Sequence, residues 1–158
     1  MKKTKIYLDI CSYNRPFDDQ SQIKIRLETE AILYILYDIH KKLYLMIWSY
    51  MLDYENSMNP YKAKRNAIAL WKSIAYDYCP SSIDVLSIGK NIMKNYGIKA
   101  KDSLHIACAI KSNCDYFITT DNKLIKKSSG YITEIDREEK STNIKITNPI
   151  DFIREVTY

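Results

Sequence analysis

The chain has 158 residues, of which 46% are hydrophobic and 27% charged, and its formal net charge is +5. This length is enough for one hydrophobic core without disulfides, and the composition excludes disordered and fibrous proteins. The longest apolar runs, at 31–37 and 43–52, fall short of the roughly 18 residues of a membrane-spanning helix, and Asp9 interrupts the first hydrophobic stretch too early for a signal peptide. We therefore expect a single domain over residues 1–158 that lies in the cytoplasm and makes no membrane contact.

The cysteine and glycine contents exclude several kinds of site. The four cysteines show neither the paired spacing of a zinc site nor the density of a disulfide scaffold, so we expect reduced, buried thiols. Three glycines cannot build a dinucleotide-binding fingerprint or a P-loop. The excess of lysine and arginine over acidic residues is compatible with a polyanionic partner without identifying one.

The first half of the chain predicts two units in which a strand precedes helical segments. The first strand ends directly before Asp9, and Ser49 is placed to cap the helix that follows the second strand. Pro60 stops that helix. In order, the predicted elements are a strand at 5–8, a polar loop at 14–20, a helix at 21–41, a strand at 43–48, and helices at 50–57 and 61–76.

The second half continues the same alternation. Gly97 is a typical C-terminal stop for the helix before it. The predicted elements are helices at 83–96 and 101–111, a strand at 115–119, a helical turn at 122–127 and a last strand at 144–146. Alternating strands and helices predict an α/β fold of three layers (α/β/α), with a mostly parallel central sheet of four to five strands.

Two acidic residues stand where ligands bind in open α/β sheets. Asp9 and Asp121 lie at or just past the carboxyl ends of two predicted strands. An aspartate at such a position is also commonly a turn or helix cap, so each residue alone leaves that reading open.

Two further acidic residues lie on predicted helices. Glu55 falls on the apolar stripe of its helix with Met51 and Met58, and a carboxylate there needs a partner, which could be a lysine or an arginine. Asp102 opens an apolar helix one turn before His105, where a helix cap is the alternative. We expect His105 to hydrogen-bond within the core or to a metal ligand, because metals matched to carboxylate clusters prefer oxygen.

These residues lie in segments that resemble the PIN-domain nucleases, a family that includes VapC-type toxins. Four segments match in the family's order, and the segment at 14–20 (NRPFDDQ) is similar to the loop of a particular subgroup. The four are Tyr7-Leu8-Asp9, the stretch from Ser49 to Glu55, the "DALHLA"-like helix from Lys101 to Ala107, and the "TTD" strand from Asp115 to Asp121. The resemblance covers residues 4 to about 127, and departs from the family where Ile10 and Cys11 replace the usual Thr or Ser and Asn.

The resemblance implies a single PIN-like domain and a divalent-metal-dependent endoribonuclease. Asp9, Glu55, Asp102 and Asp121 would form the catalytic cluster and bind Mg²⁺ or Mn²⁺, because four like charges at one edge require a cation. RNA, expected to be single-stranded, would be the substrate, and an antitoxin protein and a homodimer are compatible partners. We predict substrate contacts from Asn14, Arg15, Ser49 and Thr120, of which Arg15 is the foremost candidate for binding phosphate.

Two other readings stay open from the sequence. The first is a non-catalytic PIN-like module that binds RNA or protein, which the replacement at Ile10 would suit. The second is a receiver- or phosphatase-type domain, which needs paired acids beside the first-strand aspartate and fits Ile10 and Cys11 poorly.

Overall fold

The computed structural model describes residues 2–136 and 138–157, and its centre is a six-stranded sheet in the order β3-β2-β1-β4-β6-β5. All strand pairs are parallel except β5 with β6, which form an antiparallel hairpin. The strands are β1 Lys5–Leu8, β2 Leu45–Ser49, β3 Asp77–Cys79, β4 Tyr116–Ile118, β5 Tyr131–Ile135 and β6 Ser141–Thr147. The helices are α1 Ile10–Asn14, α2 Ile23–His40, α3 Tyr50–Ser57, α4 Lys62–Leu70, α5 Ile83–Tyr96, α6 Ala100–Lys111, α7 Asn122–Ser128 and α8 Pro149–Thr157, with 3₁₀ helices at Arg15–Phe17 and Trp71–Ile74.

The α/β class and the mostly parallel sheet are confirmed, but the predicted number of strands is too low. The sequence analysis missed β3 and β5, and it also missed α8. The segment predicted as a loop at 14–20 contains the end of α1 and a 3₁₀ helix, and the helix predicted at 61–76 ends at Leu70 and continues as a 3₁₀ turn. Three-residue β3 is too short to show a period, which explains why its pattern was not recognised.

The central strand β1 is buried on both faces. Ile6, Tyr7 and Leu8 have no exposed surface, as expected for a middle strand covered by helices on either side. The chain moves from β1 through α2 to β2 in one direction along the sheet, and from β3 through α5 and α6 back to β4 in the other. Right-handed crossovers therefore place α2 on one face and the α5–α6 pair on the opposite face.

The carboxyl ends of β1, β2 and β4 meet at one edge of the sheet, because these strands are parallel neighbours. A helix begins directly after each of them: α1 after Asp9, α3 after Ser49 and α7 after Asp121. This edge therefore gathers side chains that are far apart in the sequence. Among the described residues, the helices are all too short or too polar to cross a membrane.

Candidate acidic site

Asp9 and Asp121 are joined through the side chain of Thr119. The Thr119 hydroxyl donates to Asp9 Oδ2 at 2.9 Å, and its oxygen accepts the backbone N–H of Asp121 at 3.1 Å. Asp9 is 4% exposed, and its other oxygen accepts the N–H of Ile10 at 2.8 Å. Asp121 also caps α7 by accepting the N–H groups of Lys123 and Leu124. Both aspartates are thus helix caps at the ends of β1 and β4, and Thr119 bonds to the side chain of Asp9 and to the backbone of Asp121.

Cys11 occupies part of the space around Asp9. Its Sγ lies 3.4 Å from Asp9 Oδ2 and 3.3 Å from the Thr119 hydroxyl. Burial, followed by the charge of Asp9, raises the pKa of the Cys11 thiol to about 12, so it stays protonated and can donate. Asp9 is followed by Ile10, which has no hydroxyl, and the side-chain donors to Asp9 Oδ2 are Thr119 and Cys11.

Glu55 is held by a buried chain of hydrogen bonds. His105 Nε2 lies 2.7 Å from Glu55 Oε1, and His105 Nδ1 lies 2.6 Å from the hydroxyl of Tyr7. That hydroxyl is also 2.6 Å from Ser49 Oγ. A carboxylate can only accept, so Nε2–H donates to Glu55, and in a neutral ring Nδ1 then accepts from Tyr7. Since His105 and Tyr7 are fully buried, their positions fix where Glu55 points.

The partner of Glu55 is therefore His105, whereas the sequence left open a lysine or an arginine. The hydrogen bond from His105 lowers the pKa of Glu55 despite burial, which keeps this carboxyl ionised at neutral pH. Asp53, on the same helix, lies outside this arrangement and bonds to Trp48, Lys72 and Tyr78.

Asp102 lies in the first turn of α6, and its pKa depends on its burial and on the charges around it. Its pKa is raised to about 6 by burial, then by the negative charges of Asp9 and Asp121, and to a smaller degree by Glu55. His105 acts in the opposite direction. No hydrogen bond or ion pair to the Asp102 carboxyl is found within residues 2–136 and 138–157. The four predicted acidic residues thus share one local field, and Asp102 bears the cost of their mutual repulsion.

The donor chemistry of this edge suits a hard divalent cation, because it consists of carboxylate oxygens with an uncompensated negative charge at Asp102. In the described part of the chain, however, no three histidine, cysteine or acidic side chains are already arranged to hold a metal ion. The two observations are compatible, because one charge can shift the pKa of another group over a longer distance than the length of a metal–ligand bond. Hydrogen bonds use some of the acceptor sites of Asp9, Glu55 and Asp121, and each carboxylate keeps further lone pairs that could ligate an ion.

Three of the four predicted substrate contacts have other roles in the structure. Ser49 is fully buried, where it caps α3 and bonds to Tyr7, and Thr120 is only 5% exposed. Arg15 pairs with Asp18 at 3.0 Å and with the buried Glu28 at 3.4 Å, so its charge is neutralised within the chain. Whether these three residues contact a substrate stays a prediction. Asn14, the fourth, lines a cavity next to Glu55.

The sequence analysis did not identify Thr119 and Tyr7 as parts of the site. Both lie within the matched segments, one residue before Thr120 and two before Asp9. Their side-chain partners Ser49, His105 and Asp9 are 42 to 110 positions away, so only the sheet topology brings them into contact. The one available signal was a tyrosine hydroxyl on an otherwise apolar central strand, since a buried hydroxyl requires partners.

The fold and its acidic edge define a class: three-layer α/β domains that carry carboxylates at the ends of parallel strands. The PIN domain family model matches residues 45–129, which is more than half of the chain. The chain belongs to the PIN domain family. The matched range contains Glu55, Asp102 and Asp121.

Solved structures show the same fold at low sequence identity. A chain in the crystal structure of VapBC2 from Rickettsia felis, bound to a DNA fragment from their promoter, has a TM-score of 0.57 and 14% identity, with coverage of 92% of this chain and 98% of that one. A chain of FitAcB from Neisseria gonorrhoeae has a TM-score of 0.55 and 16% identity, with the same coverages. No curated protein matches the chain.

Proposed function

We propose that this chain is a Mg²⁺- or Mn²⁺-dependent endoribonuclease, a single domain of the cytoplasm that hydrolyses single-stranded RNA. Asp9, Glu55, Asp102 and Asp121 bind the metal and form the catalytic cluster. The observation that carries the proposal is the raised pKa of Asp102, to which burial contributes most and the negative charges of Asp9, Asp121 and Glu55 contribute after it. Membership of the PIN family, whose members are in general nucleases, supports the same class of activity.

The residues of the site have distinct tasks in this proposal. A bound divalent cation supplies water activation and neutralises charge on the phosphodiester. Thr119 bonds to the side chain of Asp9 and to the backbone of Asp121, and His105 sets the direction of Glu55. Asp102, which has no other partner among the described residues, is free to turn toward the ion.

Cleavage of a labelled single-stranded RNA tests the proposal. Products should form with Mn²⁺ or Mg²⁺ and disappear with EDTA, and Asp102→Asn and Asp9→Asn should each reduce the rate by at least about 100-fold, since both alter the charge that holds the metal. Asp53→Asn is the matched control, because Asp53 lies on the same helix as Glu55 but outside the cluster.

Two results would reject the catalytic assignment: cleavage that survives both cluster variants, and RNA binding without any cleavage. The second result would favour the non-catalytic RNA-binding module. Circular dichroism of each variant establishes that a loss of rate is not a loss of fold.

The chain also fits a role as the toxin of a toxin–antitoxin pair, with a small antitoxin protein and a homodimer as its assembly. The support is the similarity in fold to chains of VapBC2 and FitAcB. Expression of the wild type should arrest growth and expression of Asp102→Asn should not. Normal growth with the wild type would count against toxicity.

A further inference from the structure

A cavity of about 250 Å³ opens directly beside the acidic site. Glu55 and Ile10, the residue after Asp9, belong to its wall. The volume lies below the roughly 300–1,000 Å³ of pockets for drug-sized ligands, so it suits one flat ring rather than a larger molecule. If Glu55 acts on a phosphodiester as proposed above, the group that enters this cavity is joined to that phosphate.

Two residues that line the cavity, Asn14 and Asn56, carry buried amide oxygens that have no hydrogen-bond partner among the described residues. Asn56 is 6% exposed, and its Oδ1 has no hydrogen-bond partner within the described residues. Its Nδ2 donates to the carbonyl of Arg65 at 2.9 Å, which establishes which end of the amide is the oxygen. Asn14 Oδ1 is likewise buried and unpartnered, and Asn14 lines the same cavity. Buried acceptors are normally satisfied, so two of them at one cavity point to a ligand that donates N–H groups.

The rest of the wall suits a heteroaromatic ring. Ile10, Met58 and Pro60 provide apolar surface, and Lys64 adds a positive charge whose Nζ lies 5.7 Å from the centre of the Phe17 ring. The side of the cavity that carries Asn56 is firmly held, because Arg65 Nη1 also donates to the carbonyl of Asn59 at 2.7 Å. A rigid polar wall facing apolar surface can distinguish one ring substituent from another.

We propose that this cavity binds a nucleobase of the RNA substrate next to the cleaved phosphate, and that Asn56 Oδ1 accepts a hydrogen bond from an exocyclic amino group of that base. The inference rests on the proposed ribonuclease function. It predicts preference for cytosine over uracil and for adenine over hypoxanthine, because the second base of each pair has a carbonyl oxygen in place of the amino group. A carbonyl at this position would leave the buried Asn56 oxygen without a donor.

The experiment compares fluorescently labelled single-stranded oligo(C) with oligo(U) and oligo(A) with oligo(I). Binding is measured by fluorescence anisotropy in the Asp102→Asn background with Mn²⁺, and cleavage is measured with intact Asp102. The amino-bearing member of each pair should bind and be cleaved roughly 10-fold better, as expected for one buried acceptor left unsatisfied. Asn56→Ala should bring each pair to within about 2-fold of each other.

Asn14→Ala is the second variant, since Asn56→Ala also removes the bond to Arg65. Asn66→Ala, an exposed asparagine of α4 outside the cavity, is the matched control and should keep the preference. Equal binding and cleavage of both members of each pair would overturn the cavity assignment while leaving the ribonuclease in place, as would a preference that survives both cavity variants.

A base preference in binding without cleavage of any oligonucleotide by the intact chain would support the cavity and reject the ribonuclease. If the chain showed no base preference and no cleavage, both the cavity assignment and the ribonuclease proposal would be rejected.

Discussion

The Tyr7 hydroxyl connects the central strand β1 to residues on both sides of the acidic site. It contacts Ser49, which caps α3, and His105, which holds Glu55. The ring of Tyr7 stacks on Phe117 with centroids 5.4 Å apart, so the ring and the hydroxyl have separate roles. A phenylalanine at this position would keep the packing and remove only the polar connection.

Tyr7→Phe should therefore lower the free energy of unfolding by about 1–3 kcal/mol, because the buried His105 Nδ1 and Ser49 hydroxyl each lose their hydrogen bond to Tyr7. Urea denaturation measures the change. Tyr13→Phe is the control, since Tyr13 is equally buried but its hydroxyl donates only to Met46 sulfur, a weak acceptor. A loss for Tyr7→Phe no larger than that for Tyr13→Phe would contradict the importance of the network.

Asp102 should make the metal-free protein less stable as the pH rises. Its folded-state pKa of about 6 is above the ordinary value of 3.8, so the folded state binds a proton more tightly than the unfolded chain. The penalty is absent below about pH 4, grows up to about pH 6 and stays constant above it. Asp102→Asn should therefore stabilise the EDTA-treated protein by about 1–2 kcal/mol at pH 7.5, since solvent screens part of the repulsion at a half-buried group, and have no effect near pH 3.5.

We expect Asp53→Asn to change the stability in the opposite direction to Asp102→Asn. Burial alone would raise the pKa of Asp53, but hydrogen bonds from Trp48, Tyr78 and Lys72 prevail and lower it. Its replacement should therefore destabilise the protein at pH 7.5. If Asp102→Asn also destabilised the metal-free protein at that pH, the four acids would not share a local field.

At the scale of elements, the sequence analysis succeeded where local chemistry marks both ends of an element. The helix predicted at 83–96 is confirmed as α5, because the N-cap Ser82 accepts from Val85 N–H and Gly97 ends the helix with a φ of 65°. Strand β1 is confirmed at Lys5–Leu8 because residues 6–8 form a short hydrophobic run that ends at Asp9. In contrast, β5 carries the buried Glu134 on its inner face, and this charged residue breaks the apolar alternation by which strands are recognised.

Two helix ends with the same left-handed conformation allow a matched prediction. Gly97 and Ser129 both have positive φ at the C-caps of α5 and α7, with values of 65° and 53°. Glycine adopts this conformation without strain, whereas other residues lose roughly 1 kcal/mol. Gly97→Ala should lower the stability by about that amount, with no steric contribution because nothing lies within 4 Å of the added Cβ.

Ser129→Gly should raise the stability by a similar amount, and thermal denaturation of both variants measures the pair. If both variants changed the stability in the same direction, factors other than backbone conformation would determine the effect of substitutions at these two positions.

For the whole molecule, the fold class followed from the alternation of strands and helices, and the candidate acids followed from their positions at strand ends. The residues that hydrogen-bond to these acids could not be predicted in the same way. The hydrogen bond between Thr119 and Asp9, for example, joins positions 110 apart and depends on which strands are neighbours. The ion pair of Arg15 with Glu28 could not be predicted from the sequence either. The loop position of Arg15 favoured substrate binding, and the structure pairs it with a glutamate that the sequence places on a long helix.

Divalent metal should stabilise the whole chain if the acidic edge binds it. Mn²⁺ at about 100 times its dissociation constant should add about 2.7 kcal/mol to the free energy of unfolding, because it binds only the folded state. The melting temperature with and without Mn²⁺ measures this effect. Asp9→Asn should show a much smaller increase, and an equal increase in both proteins would place the ion elsewhere.

The buried carboxylate of Glu28 has a consequence for how the protein is shortened or tagged. Glu28 has no exposed surface, and besides Arg15 it is contacted by Asn148, whose side-chain amide donates to it. Asn148 directly precedes α8, which packs along α2. Truncation before this asparagine would leave an interior negative charge with one donor fewer, so expression plasmids for crystallography should retain the C-terminal helix and carry affinity tags beyond it.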